Sequence, residues 1–139
     1  MLFRSQGSWF TWGSGTLAVS SARAHGGSKS LLFSNRVGNG PIARSLMGVV
    51  QPGKSYTVSM WTSIGGAASA QVNMTSALGC DGSDSYAWIV NPTTVADGAW
   101  VKMTGTLNVP NCNLTNALVY LEGPGTGVDM YVDDAVVSP

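Results

Sequence analysis

A chain of 139 residues holds about one domain, long enough to bury a single sandwich-sized core. Only 10% of its residues are charged, seven Lys and Arg against seven Asp and Glu, so it lacks the basic field that draws nucleic acid or an anionic membrane surface. No apolar stretch approaches the length of a bilayer-spanning helix, and neutral Ser, Thr, Asn and Gly must make the surface polar, groups that hydrogen-bond neutral polyhydroxy ligands.

Turn signals at Gly26-Gly27, Asn39-Gly40-Pro41 and Pro52-Gly53 break the first third into short pieces. Next, Tyr56, Val58 and Met60 share one parity while Thr57, Ser59 and Trp61 share the other. Beyond Gly65-Gly66, Ala70, Val72 and Met74 oppose Gln71, Asn73 and Thr75, and Trp88 follows Tyr86 at the same parity. After Asp97-Gly98, Val101, Met103, Leu107 and Val109 oppose Lys102, Thr104, Thr106 and Asn108. Between Pro110-Asn111 and Gly123-Pro124-Gly125 runs Ala117-Leu118-Val119-Tyr120-Leu121-Glu122. A period of two is that of half-buried strands, and no run of ten sustains helical spacing, so helix should be close to absent. The turn spacing implies about nine or ten strands, which fits an all-β fold, a β-sandwich jelly roll of two packed antiparallel sheets.

The last run carries the most chemistry. If Ala117, Val119 and Leu121 face the core, Tyr120 and Glu122 point together to the opposite face. An aromatic ring there can lie against an apolar face and a carboxylate can accept from hydroxyls, a pairing that suits a sugar. Gln71, Asn73 and Thr75 have outward parity on a neighbouring strand and read either as orienting polar groups or as solvated strand face. An enzyme would need an acid, base or nucleophile. The single histidine, His25, sits in a Gly-Gly-Ser turn signal, and Glu122 finds only Asp81 or Asp84, read as loop residues, as a second carboxylate. A protein-contact patch built on Tyr86, Tyr120 and the tryptophans is the competing reading of the rings. Cys80 and Cys112, an isolated even pair, read as a disulfide formed in an oxidising compartment, with two buried thiols as the alternative. Met1-Leu2-Phe3-Arg4 lacks the charged start and apolar run of a secretion signal and reads as a boundary drawn inside a longer protein.

The order of residues across nearly the whole chain resembles carbohydrate-binding module family 22, the xylan-binding modules of bacterial xylanases, and more distantly families 4 and 9. The resemblance is carried by Trp9 followed by the segment from Gly13 to Ser20, by Ala24-His25-Gly26-Gly27-Ser28, Asn35-Arg36 and Asn39-Gly40-Pro41, and by the segment from Pro52 to Trp61. It continues through Tyr86, the segment from Asp97 to Thr106, Tyr120-Leu121-Glu122 and Tyr131-Val132-Asp133-Asp134. It implies a non-catalytic jelly roll whose concave sheet holds one chain of plant cell-wall polysaccharide, xylan or a related β-glycan such as mixed-linkage glucan. It also implies a monomer, secreted by a bacterium and tethered to a glycoside hydrolase. Tyr86, Tyr120 and Glu122 match the family's cleft, with Arg36 and Asn39 at its rim or, equally, holding a loop. The family's Arg after the first Trp is replaced by Trp12, and its Trp before the Asn-Gly-Pro turn by Gly38. Trp12 and Trp88 are therefore candidates for new platforms, or for core, while Trp61 and Trp100 are assigned to the structural framework. Related modules hold a structural calcium, and the resemblance places Asp133 as its carboxylate ligand with carbonyls of Gly26 and Lys29, while Arg4 stands where a Glu ligand is expected.

Overall fold

The computed structural model of the chain describes residues 2–3 and 9–139. Eleven strands appear among the described residues and no helix: β1 (Leu2–Phe3), β2 (Trp9–Thr11), β3 (Thr16–Ser20), β4 (Ser30–Ser34), β5 (Ile42–Ser45), β6 (Ser55–Gly65), β7 (Ser69–Cys80), β8 (Ser83–Ala96), β9 (Val101–Asn108), β10 (Leu114–Glu122) and β11 (Asp129–Ser138). They form two antiparallel sheets. One runs β3-β4-β11-β6-β9, with β1 also on β11, and the other runs β2-β5-β10-β7-β8. The count exceeds the nine or ten strands expected from turn spacing, since very short elements such as β1 and β2 leave no alternation to read.

Alternation places the core where the sequence pattern implies. Tyr56, Val58 and Met60 of β6, Val72 and Met74 of β7, Met103 and Leu107 of β9 and Ala117, Val119 and Leu121 of β10 all pack between the sheets, joined by Phe33, Ile42 and Met130. Burying a side chain of this size contributes on the order of 1.5–3 kcal/mol, so the inward set fixes which face of each strand is out. Outside the six-stranded sheet, the His25 ring stacks on Trp61 at 3.8 Å and the Arg23 guanidinium lies 4.4 Å above the Tyr131 ring. Trp100, edge-on to both His25 and Tyr131, completes that cover, so Trp61 and Trp100 serve the framework.

Two local devices set the five-stranded sheet. The β7–β8 hairpin closes on a two-residue Asp81-Gly82 turn in which both residues have positive φ, 52° and 85°, as a type I′ turn demands. Asp84, read from sequence as a loop residue, is thereby on strand β8. On the opposite sheet Gly105 of β9 lies beneath Ile89 of β8, and a Cβ there would collide with the Ile89 carbonyl oxygen. Glycine is what lets the two edge strands approach. Cys80, ending β7, is bonded to Cys112 in the β9–β10 link, Cα to Cα 5.7 Å, which ties the hairpin to the crossover between sheets.

The calcium expectation meets a different arrangement. In β11 a bulge after Asp133 puts Asp134 at φ 47°. The Asp133 carboxylate accepts from the main-chain N–H groups of His25 (2.9 Å), Gly26 (2.9 Å) and Asp134 (2.8 Å). Three of its roughly four acceptor positions are thus occupied, and Gly26 turns an N–H toward it. Lys29 is exposed further along the same loop, and no group of three or more His, Cys, Asp or Glu that could hold a metal occurs among the described residues. Asp133 thereby anchors the β3–β4 loop to β11. Arg4 lies outside the described residues.

Thiol titration of the denatured, unreduced protein should read near zero. Replacing both cysteines by Ser should lower stability by roughly 3–4 kcal/mol for a loop of this length, measured by urea denaturation. Gly105→Ala should cost about 1–3 kcal/mol in the same assay, because the overpacked methyl must push β8 away from β9.

Candidate functional site

The register of the five-stranded sheet aligns one outward row across all five strands. Phe10 of β2 pairs with Ala43 of β5, Ala43 with Tyr120 of β10, Tyr120 with Thr75 of β7, and Thr75 with Trp88 of β8. Strands stand about 4.8 Å apart, so the row spans roughly 19 Å. Beside it run Leu118, Ala77 and Tyr86 on one flank and Glu122 with Asn73 on the other. Small residues at the centre and large rings at both ends make a groove that crosses the strands. Its best-formed part, about 360 Å³, is lined by Thr75, Tyr86, Ala87, Trp88, Tyr120 and Glu122.

Ring exposure separates platforms from floor. Tyr86, Trp88 and Trp12 are 66%, 59% and 44% exposed, which settles the choice between surface and core for both tryptophans. Tyr120 is only 6% exposed. Trp12 stands edge-on to it at 5.1 Å, and Ala43, Ala77 and Leu118 pack around it. The open stacking platform expected at Tyr120 is therefore covered, and what the residue offers is its hydroxyl. Burial, then the nearby Glu122 carboxylate and Tyr86, push its phenol above the usual tyrosine value, against a hydrogen bond with Thr75. At neutral pH it remains an O–H donor.

Glu122 is partly buried and held from one side. Thr75 Oγ1, with one proton to give, lies 3.0 Å from both Glu122 Oε1 and the Asn73 amide oxygen, and Glu122 Oε2 has no hydrogen-bond partner among the described residues. The Asn73 side-chain amide lies 3.2 Å from Trp88 Nε1. An indole N–H only donates, so the amide oxygen faces it and Nδ2 donates to the Glu122 main-chain carbonyl at 3.3 Å. Trp88 is thus fixed in orientation while its face stays open. Fixing both groups beforehand lowers the ordering cost of binding.

The other expected residues fall in different places. Gln71 is exposed on β7 and donates to Thr94 Oγ1 of β8 at 2.5 Å. Asn39 is exposed in the β4–β5 turn, next to Gly40, whose missing side chain lets the Trp12 carbonyl approach. Arg36 is a correction. It is 2% exposed and donates to the carbonyls of Gly40 (2.8 Å), Val128 (2.9 Å) and Gly125 (3.2 Å). It clamps the β4–β5 turn to the β10–β11 loop and presents nothing to a ligand. Phe10, tilted against Trp12 with ring centroids 5.7 Å apart, joins the row unforeseen. The run Trp9-Phe10-Thr11-Trp12 carried the signal, since a core Trp9 turns Phe10 outward.

Comparison with known proteins agrees with this geometry. Endo-1,4-beta-xylanase A of Thermotoga neapolitana is 32% identical over 136 residues, 94% of this chain and 13% of the relative. The chain thus spans about an eighth of that protein's length. Among solved structures, the CBM22-1 xylan-binding domain of Paenibacillus barcinonensis Xyn10C superposes with a TM-score of 0.88 at 22% identity, covering 98% of this chain and 88% of that one. A xylan-binding domain from CBM 22 superposes with a TM-score of 0.83 at 29% identity, covering 96% and 88%. The family model of the carbohydrate binding domain CBM_4_9 matches residues 3–129. With a match that takes in every strand of the sheet that forms the groove, the chain belongs to this carbohydrate binding domain family.

Proposed function

We propose that the chain is a non-catalytic module that holds a single chain of plant cell-wall polysaccharide, xylan foremost, in the groove of the five-stranded sheet. The observation that carries this reading is the strand-crossing row itself: exposed rings at Trp12, Tyr86 and Trp88 around a floor with a free carboxylate oxygen. Sugar rings have apolar C–H faces that lie on aromatic platforms, and their hydroxyls donate to Glu122 and pair with the Tyr120 hydroxyl. The xylan-binding titles of the structural neighbours and the xylanase relatives support the same polymer. The module acts as a monomer that carries an attached glycoside hydrolase to its substrate, in a bacterial, secreted protein. The Cys80–Cys112 bond suits that oxidising location.

Soluble xylan should retard the protein in a native gel, and mixed-linkage β-glucan in a parallel lane ranks the second candidate. Absence of a shift with xylan, mixed-linkage glucan and soluble cellulose derivatives alike would turn the ring patch back into a protein-contact surface. Trp88→Ala should weaken xylo-oligosaccharide binding roughly five- to a hundredfold by calorimetry, since one aromatic platform contributes about 1–3 kcal/mol. Glu122→Ala should fall in the same range through lost charge-assisted hydrogen bonds. Tyr120→Phe, which keeps the packed ring and removes the hydroxyl, should cost less than either, and an unchanged affinity in all three folded variants would place the sugar on another surface.

A further inference from the structure

The charge of the groove has a consequence for which xylans fit. The chain is formally neutral, yet its charges are unevenly divided between the two sheets. Glu122 stands one pair of residues beyond the central Tyr120–Thr75–Trp88 row, opposite Asn73. Asp84 has the same outward parity on the other flank, two residues before Tyr86 and opposite Gly79 of β7. By strand rise, Glu122 lies about 7 Å to one side of the row and Asp84 about 13 Å to the other. Both sides of a bound chain therefore face a carboxylate.

Among the described residues no cation is placed beside them, and Lys29 lies in the β3–β4 loop of the other sheet. Arg36 is buried under the loops, and Arg44 on β5 pairs with Trp9 and Val119, whose side chains face the core. Arg23 lies against Tyr131 outside the six-stranded sheet, and Lys54 and Lys102 adjoin or lie on strands of that sheet. The Arg23–Asp97 ion pair and the His25–Asp134 contact are on that side as well. The Debye length is about 8 Å at physiological salt, comparable to the distance from either carboxylate to a side group projecting from the bound chain.

Building on the binding mode proposed above, we propose that this groove selects neutral xylan segments over segments bearing glucuronic acid side groups. A uronate substituent projecting to either flank meets Glu122 or Asp84 with no counter-charge, whereas an unsubstituted or neutrally substituted segment does not. The selection is electrostatic, so salt weakens it.

Calorimetry on the intact chain tests this with glucuronoxylan and the same polymer after chemical reduction of its carboxylates, which keeps length and branching. At about 20 mM salt the reduced polymer should bind roughly three- to tenfold more tightly, and at about 0.5 M salt that ratio should shrink at least twofold. Asp84→Asn should narrow the low-salt ratio while leaving affinity for the reduced polymer unchanged. Equal affinities, or tighter binding of the acidic polymer, would overturn the proposal while leaving xylan binding intact, and a ratio indifferent to salt would assign the preference to shape and overturn it too. Failure of the reduced polymer and of a linear xylo-oligosaccharide to bind at all would refute the binding mode itself and this selection with it.

Discussion

Antiparallel register, locked by the buried face of each strand, is the constraint on which the groove depends. Because side chains alternate, the packing of Val119 and Leu121 between the sheets obliges Tyr120 to point out, and hydrogen-bonded pairing sets Tyr120 beside Thr75 and Thr75 beside Trp88. A slip of one residue in β7 would send Met74 out and Thr75 in, costing apolar burial and destroying the row together. The core therefore specifies the site's geometry without touching a ligand.

Within that row, covering and opening are divided between neighbours. Tyr120 is closed off by Trp12 and the small Ala43 and Ala77, which leaves its hydroxyl as its contribution. Trp88 reaches the surface from the edge strand β8, whose closeness to β9 depends on Gly105, and its indole nitrogen is tied to Asn73. Edge strands are usually the mobile part of a sheet. Here the longest strand of the fold carries two of the exposed rings, and the Asp81-Gly82 turn and the Cys80–Cys112 bond restrain the hairpin end from which Tyr86 and Trp88 follow.

Much of this was legible in the sequence because it follows from period two. The all-β class, the inward sets of β6, β7, β9 and β10, and the outward pairing of Tyr120 with Glu122 require only alternation and an apolar interior. Composition alone pointed to the cysteine pairing. What escaped depended on residues distant in sequence. Parity sets the side a ring occupies but not what lies above it, so the cover of Trp12 over Tyr120 was invisible. Arg36 reads as a polar rim residue until the Gly40 carbonyl of its own turn and two carbonyls of the distant β10–β11 loop close around it. Asp133 also gathers three main-chain N–H groups, two of them from a loop more than a hundred residues away, which no local pattern reveals. Asp81-Gly82 was a readable hairpin signal, and recognising it would have moved Asp84 from a loop to the strand that bears Tyr86 and Trp88.

Corrected in this way, the site is a different recognition device from one built on an exposed tyrosine. With Tyr120 covered, apolar contact comes from Trp88 and Tyr86 on β8 and from Trp12 on the other side of Tyr120, and the floor between is polar, supplied by Thr75, the Tyr120 hydroxyl and Glu122. A sugar chain across such a groove gains stacking at its ends and hydrogen bonds at its centre, which favours ligands long enough to reach both walls. Stacking tolerates many sugars, since every pyranose has an apolar face. Discrimination therefore falls to the polar centre and to the charge beside it, where Thr75 holds Glu122 from one side.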